Sequence, residues 1–367
     1  MDLWSGLQLP VWLIVALSVF LSHFLFAAFI GGISSLLTWI LIRRIRILDI
    51  PNERSSHSFP IPRGGGLAIV AGFLIGVSLV QIIGSTVPLR TQYFWGFLFS
   101  LFLIAGVSFY DDIHHCGLKA KLGIQLVSIT IVMAAGNVID LVHLPWLGEM
   151  SSPAVLYPLT LVWLLGLTNA YNFMDGLDGI AASTAVVASG FFSYIAFGEG
   201  SHFAYVVSMT LGAATLGFLV FNWSPAKIFM GDVGSAFLGF SFAALAIIAA
   251  RYDLGHTSLF VMPLLLFHFI FDALFTIVRR LMSGDNVFQG HRTHLYQLIN
   301  RLGYSHKAVS SLFAVLAALQ GFAAIWMVGV PGEQRLLVFL PFTACYLLAG
   351  VWILARARLA GLLSRNS

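Results

Sequence analysis

Five carboxylates occupy the short polar breaks of a chain that is otherwise nearly free of charge. Asp111 and Asp112 are adjacent; Asp175 and Asp178 close the run Asn169-Ala-Tyr-Asn172-Phe-Met-Asp175-Gly-Leu-Asp178-Gly179; Asp232 lies in Phe229-Met-Gly231-Asp232-Val-Gly234-Ser235. On a helix or a helical turn, steps of three share a face, so Asn169, Asn172, Asp175 and Asp178 read as one polar edge. Clustered acid and amide oxygens suit a hard cation such as Mg²⁺, and magnesium suits phosphate substrates because it neutralises charge and aligns the reacting oxygens. The plainer reading is that each Asp caps a helix N-terminus. For one Asp alone that reading is the better one; for five of the 15 acidic residues gathered at helix ends it is the poorer.

Basic groups stand near them. Lys121 follows Asp111-Asp112 in Lys121-Leu-Gly-Ile-Gln125, and Gly290 precedes His291-Arg292-Thr293-His294. Guanidinium, imidazole and ammonium groups suit phosphate oxygens. A His-x-x-His pair can also bind zinc, but no Cys or carboxylate stands at ligand spacing beside it. Arg63-Gly64-Gly65-Gly66 follows Pro60 and Pro62, a rigid entry to a flexible loop, and Ser55, Ser56 and His57 with Arg54 could form a pocket for an anionic headgroup. Simple membrane orientation accounts for Arg279, Arg280, Arg356 and Arg358. In the ninth apolar stretch His268 and Asp272 are one turn apart; ionisable groups within spans are functional candidates, yet Asp272 could simply pair with Arg279 or Arg280.

What must position these groups is a membrane bundle. Of 367 residues 59% are hydrophobic and 9% charged, with mean hydropathy +0.92, against about 25% charged in a soluble chain. Two cysteines, Cys116 and Cys345, imply no disulfide framework. Eleven apolar stretches can be counted, near Val11–Ile40, Leu67–Ile83, Tyr93–Phe109, Leu122–Ile139, Val155–Leu167, Ile180–Phe197, Phe203–Phe221, Ala236–Ala250, Leu259–Val278, Ala308–Val328 and Leu336–Leu354. The expected fold is therefore an all-α polytopic membrane protein of about eleven transmembrane helices, a single domain over 1–367. The N-terminus lacks the basic leader of a cleavable signal peptide. With eleven crossings, Arg90, Arg251 and Arg335 fall on one side and the other 16 of the 19 Lys and Arg on the opposite side. Basic loops are cytoplasmic, which places the N-terminus in the periplasm and the C-terminus in the cytoplasm. The polar segments near 51–66, 110–125, 169–179, 222–235 and 284–306 then share the cytoplasmic face, as a site at the membrane boundary requires.

Together these segments resemble the polyprenyl-phosphate N-acetylhexosamine-1-phosphate transferases, glycosyltransferase family 4. The match rests on Asn169-Ala-Tyr-Asn172-Phe-Met-Asp175-Gly-Leu-Asp178-Gly179, Phe229–Ser235, Asp111-Asp112 with Lys121–Gln125, and Pro51-Asn-Glu-Arg-Ser-Ser-His57 leading to Pro62–Gly66. It covers about residues 45–310. It implies a bacterial multi-pass inner-membrane enzyme in which undecaprenyl phosphate attacks the sugar-bearing phosphorus of a UDP-N-acetylhexosamine, releasing UMP, with Mg²⁺ required and Mn²⁺ as an alternative. By the same resemblance Asn172 and Asp232 would hold the metal, and Asp111 and Asp112 would lie by the lipid phosphate and metal. Lys121 would bind phosphate, as Arg63 and His57 are also placed to do. Asp175 and Asp178 would order the nucleotide pocket, and His291, Arg292 and His294 would contact the pyrophosphate or sugar phosphate. The catalytic set is then Asp111, Asp112, Asp232 and His291. The partners implied are the UDP-sugar, undecaprenyl phosphate, the bilayer and, as an open alternative, a second copy.

The run His291-Arg-Thr-His294-Leu-Tyr296-Gln297 lacks the histidine string of the peptidoglycan branch. It looks most like enzymes that start O-antigen chains of lipopolysaccharide, some of which use N-acetylfucosamine, N-acetylquinovosamine or related 6-deoxy sugars instead of N-acetylglucosamine. A transporter of a phosphorylated or nucleotide-linked substrate is the rival of another class, but it would place its binding groups near the midplane, often with a repeat, and none is visible. A CDP-alcohol phosphotransferase is excluded because Asp178-Gly179 continues Ile-Ala-Ala rather than Ala-Arg. A lipid pyrophosphate phosphatase would need no nucleotide sugar.

Overall fold

Apolar runs of this length leave the backbone only its own carbonyls to bond, so they fold as helices. The computed structural model describes residues 10–45, 47–51, 59–83, 91–114, 117–251, 255–287 and 289–363. In chain order the elements are α1 (Val11–Arg44), strands β1 (Leu48–Asp49) and β2 (Ile61–Pro62), α2 (Gly66–Ile83), α3 (Thr91–His114), α4 (Leu118–Ala134), strands β3 (Val142–Leu144) and β4 (Gly148–Met150), α5 (Pro153–Phe173), α6 (Ile180–Gly198), α7 (His202–Asn222), α8 (Asp232–Arg251), α9 (Val261–Leu265), α10 (Phe267–Met282), α11 (Leu295–Arg301), α12 (His306–Val328), a 3-10 turn (Gly332–Val338) and α13 (Phe339–Leu359). Both strand pairs are antiparallel, with Leu48 opposite Pro62 and Val142 opposite Met150.

Among the described residues eight helices are long and apolar enough to cross a membrane. The other apolar helices, α2, α4 and α10, have 18, 17 and 16 residues. Three of the expected stretches are drawn differently. The fifth is not short: α5 runs on through Asn169 and Asn172 to Phe173, because polar side chains with partners on neighbouring helices do not stop a helix. The fourth ends earlier, at Ala134. The ninth is broken: Leu266, at φ −108° and ψ 14°, separates α9 from α10. This leaves His268 and Asp272 at the start of a separate helix.

The bundle is organised around α8. Every residue from Val233 to Ala249 is buried, and a helix apolar on all sides is one enclosed by others; α2, α3 and α5 are its main neighbours. Lipid is as apolar as the side chains, so close packing rather than water exclusion holds such a helix. The tightest point is at its first turn. A Cβ on Gly66 would overlap the backbone of Gly234, and one on Gly234 would lie 2.8 Å from the Gly66 Cα, so the N-termini of α2 and α8 touch backbone to backbone. The C-termini of α3 and α5 and the N-terminus of α4 converge at this same end, as their contacts below require. The far end of α8 carries Arg251, paired with Asp140 at 2.8 Å.

Because backbone cannot yield as a side-chain tip does, Gly234→Ala should cost about 1–3 kcal/mol. A lower thermal midpoint of the detergent-purified protein is the check, and an unchanged midpoint would contradict the packing described.

Candidate active site

Arg63 and Asp232 are far apart in sequence, and the backbone brings them together. Phe229 N donates to Pro62 O (2.8 Å), Gly65 N to Phe229 O (2.9 Å) and Gly66 N to Met230 O (2.8 Å), so residues 62–66 are zipped along 229–230. Arg63 Nη2 thereby stands 2.7 Å from Asp232 Oδ1 and 2.9 Å from Asp112 Oδ1. The second oxygen of Asp232 accepts from Lys121 Nζ, which also lies 2.5 Å from Asp111 Oδ2. Asp112 does more than pair with Arg63: it accepts from the backbone N–H of Asp232 and of Val233, each at 3.0 Å. It therefore caps α8 from another helix, satisfying two of the orphan donors every helix start leaves. Asn172 donates to Ser235 Oγ at 2.8 Å and hydrogen-bonds Asp232. One turn earlier on α5, Asn169 and Gln125 exchange hydrogen bonds of 2.8 and 3.3 Å.

Exposure is graded across this cluster. The side chains of Asp111 and Asp112 are 6% and 0% exposed, those of Arg63 and Lys121 25% and 33%, so the two cations are the part an arriving anion could touch. Asp111, Asp112 and Asp232 against Arg63 and Lys121 leave one negative charge when all are ionised. Asp175 lies within reach of these charges. Burial, and then the charges of Asp232 and Asp112, push its carboxyl well above the usual range, with Arg63 opposing. Arg63 is held the other way: burial would weaken its charge, but Asp232 and Asp112 more than compensate, and its pKa is raised.

Two features bear on a metal. Asp111 Oδ1 is buried and has no hydrogen-bond partner, and an orphaned carboxylate oxygen beside surplus negative charge fits a cation. Among the described residues no three His, Cys, Asp or Glu side chains form a metal-holding group on their own. The donors on offer here, carboxylate and amide oxygens, are those of a hard cation such as magnesium, whereas zinc favours nitrogen and sulfur. Two cavities adjoin the cluster. A narrow one of mixed lining has Lys121, Gln125, Asn169, Asn172 and Asp232 on its polar side and Ile104 and Ile124 on its apolar side. An apolar one of about 450 Å³, between α4, α5 and α10, is lined by Leu122, Trp163, Asn169, Phe173 and Leu274 among others. Asn169 borders both.

The remaining expected residues are placed around this core. Asp178 faces away from it, bonded to His306 Nδ1 (3.1 Å) and to the N–H of Ala226 (3.2 Å). Burial raises its pKa, but His306 and the Ala226 amide outweigh that, and the net shift is downward. His291, Arg292 and His294 stand on the loop entering α11. The His291 and His294 rings are 4.9 Å apart, and His294 is 6.0 Å from the Phe173 ring. Among the described residues neither histidine bonds Asp111, Asp112 or Asp232; His291 bonds Thr293 and His294 bonds Asp272. Burial and then the Arg301 charge lower the pKa of Arg292. His57 lies outside the described residues.

Two expectations are corrected. Asp272 does not pair with Arg279 or Arg280; its oxygens take His294 and the amides of Leu295 and Tyr296. Nor do the two arginines serve orientation alone: Arg279 donates to Thr293 O, and Arg280 to Gln289 O and Asn286 O, so they brace the loop. Two participants had no role assigned from sequence: His306 meets Asp178 only after α6 and α12 pack, and Tyr296 donates to Phe173 O at 2.9 Å. His268, marked by its place in the ninth stretch, is buried with Gln320, 2.6 Å away.

The chain that carries this cluster of acids and cations, with an apolar cavity beside it, can be compared with known proteins. The family model described as glycosyl transferase family 4 matches residues 94–250. The probable undecaprenyl-phosphate N-acetylglucosaminyl 1-phosphate transferase of Bacillus subtilis is 32% identical over 314 residues, 81% of this chain and 86% of the relative. The decaprenyl-phosphate N-acetylglucosaminephosphotransferase of Mycobacterium leprae is 30% identical, covering 81% of each chain. The phospho-N-acetylmuramoyl-pentapeptide-transferase of Lacticaseibacillus paracasei is 36% identical over 52% of this chain and 62% of its own. The chain belongs to glycosyl transferase family 4.

Asp178 supplies a pH test. Its folded pKa lies below the ordinary 3.8, so the ionised form stabilises the fold; that contribution is full above the ordinary value and is lost as pH falls through the folded one. Asp178→Asn should cost about 1–3 kcal/mol of stability at pH 7, the range for bonds to a charged group, read as a lower thermal midpoint. The gap from wild type should narrow steadily below pH 4. A gap that stays constant with pH would refute this role of the Asp178 carboxylate.

Proposed function

We propose that this protein transfers N-acetylhexosamine 1-phosphate from a UDP-sugar to undecaprenyl phosphate, giving undecaprenyl-pyrophosphoryl sugar and UMP, and so starts a lipid-linked cell-envelope polysaccharide such as O-antigen. The observation that carries this is the pair of part-exposed cations, Arg63 and Lys121, held between Asp111, Asp112 and Asp232 next to an unpartnered Asp111 oxygen. The names of the Bacillus subtilis and Mycobacterium leprae relatives support the reaction class, and both name N-acetylglucosamine. UDP-N-acetylglucosamine is therefore the first donor to test, with UDP-6-deoxy amino sugars as the alternative that the His291–Gln297 run suggests.

A terminal oxygen of the lipid phosphate attacks the sugar-bearing phosphorus, the bond from that phosphorus to the bridging oxygen breaks, and its electron pair leaves with UMP. Both reactants are anionic, so charge cancellation is most of the task. Lys121 and Arg63 offer donors at the mouth of the cluster. Asp111, Asp232 and Asn172 would hold Mg²⁺, with Mn²⁺ able to substitute; bound there, it supplies the positive charge that a net negative cluster lacks. Asp112 keeps the first turn of α8 in place, and with it Asp232. A phosphate monoester has a second pKa of about 6, so the lipid phosphate is largely dianionic at pH 7 and needs no obligatory base. The apolar cavity between α4, α5 and α10 is where the prenyl chain would lie. The charge distribution along the chain supports eleven crossings, with this end in the cytoplasm.

The test uses purified protein in detergent with undecaprenyl phosphate and Mg²⁺, supplied in parallel with UDP-N-acetylglucosamine, its galacto isomer and a UDP-6-deoxy amino sugar, and measures UMP. Release should require lipid and Mg²⁺ and fall by about 10²–10³-fold or more in Asp232→Ala. No UMP from any donor, with folded protein present, would sink the reading. Asp111→Asn should stay impaired from neutral to alkaline pH; recovery of most activity at high pH would instead make Asp111 the base.

A further inference from the structure

Asp272 is 1% exposed and stands on α10, where an unpaired carboxylate would be costly. It is not unpaired. Oδ1 accepts from His294 Nδ1 (3.1 Å), the Leu295 amide (2.9 Å) and Thr276 Oγ1 (3.1 Å), and Oδ2 accepts from the Tyr296 amide (3.0 Å). Three of these four donors belong to the start of α11, which has only seven residues. A helix that short does not hold a direction by itself, so its anchor sets it. One further bond carries the position onward: Tyr296 OH donates to Phe173 O, the residue after Asn172. A Cβ on Gly176 would overlap that same hydroxyl, so α11 rests directly on the Phe173–Gly176 turn that presents Asp175.

We propose that Asp272 is a positioning residue: through the start of α11 it fixes where His291 and Arg292 stand relative to the Asn172–Asp175 turn, and thereby sets affinity for the nucleotide-sugar donor rather than for the lipid acceptor. Among the described residues Asp111 and Lys121, the acceptor's polar groups, take no bond from this loop, and the apolar cavity by α4 meets it through the carbonyl of Phe173. The inference rests on the transferase reading above. The carboxylate acts through α11 and touches no reacting atom, so its signature is a selective change in one substrate's KM.

The full-length protein in detergent is compared as wild type, Asp272→Ala, Asp272→Asn, Tyr296→Phe and the Asp272→Asn/Tyr296→Phe double variant. Measured are KM for the donor, KM for undecaprenyl phosphate, kcat, and backbone hydrogen exchange by mass spectrometry. A displacement near 1 Å can cost about 10²-fold, so donor KM should rise roughly ten- to hundred-fold in Asp272→Ala with acceptor KM nearly unchanged. Exchange should quicken in 289–301 and not across α5 or α8. Asp272→Asn keeps one accepting oxygen and remains testable if the Ala variant does not fold; its effect should be intermediate. Tyr296→Phe should raise donor KM in the same way, and the double variant should fall short of the product of the two, because both act through one contact. Equal changes in both KM values, exchange that rises throughout the bundle, or UMP release with an unchanged donor KM in the Asn variant would each overturn the inference alone. Absence of UMP from wild type would overturn the transferase reading, and this inference with it.

Discussion

A carboxylate at the head of a buried helix is the constraint on which the rest depends. Asp232 is the first residue of α8, and α8 is enclosed along its length. A charge there without partners would be prohibitive, and a helix start there without acceptors would leave buried amides unbonded. Both needs are met by the same few groups. Asp112 takes the amides, Arg63 joins Asp112 to Asp232, and Lys121 joins Asp232 to Asp111. Removing either partner of such a buried pair strands the other, so the cluster ties α3, α4 and α8 together at this end.

The plain reading of an Asp as a helix cap turns out to be half of the account. Asp112 caps α8, Asp272 caps α11, and Asp178 receives the Ala226 amide beside His306. These three acids hold backbone in place. Asp232 is tied on both oxygens to cations that are themselves part-exposed, and Asp111 keeps one oxygen without a partner. The structural and chemical roles are thus divided among carboxylates of one type by what each oxygen touches.

Composition was enough to read an all-α membrane bundle, and the polar breaks at the ends of its apolar runs marked Asp111, Asp112, Lys121, Asn172 and Asp232 as candidates. What they could not convey was contact made by backbone. The zip between 62–66 and 229–230 is independent of side chains, so nothing in the spacing of Arg63 and Asp232 announces it. Asp272 was misread for a similar reason. Its place toward the same end of the span as Arg279 and Arg280 suggested them as partners, whereas the loop after α10 folds back and offers amides and His294. The extent of α5 was misjudged because polarity was taken as a stop signal. Asn169 and Asn172 continue the helix since Gln125 and Ser235 satisfy their amides from α4 and α8.

The adjacency of Asp111 and Asp112 follows from the same geometry. Consecutive residues on a helix point about 100° apart, so a single helix end can address two neighbours at once. From the last turn of α3, Asp112 turns to the amides of α8 while Asp111 turns to Lys121 on α4. Had the two been three or four apart they would have shared a face, and both would have competed for one partner. Side by side, one is consumed by the fold and the other is left with an oxygen to give. The cap is what keeps that oxygen in place, because the helix bearing Asp111 is tied by Asp112 to the helix that begins with Asp232.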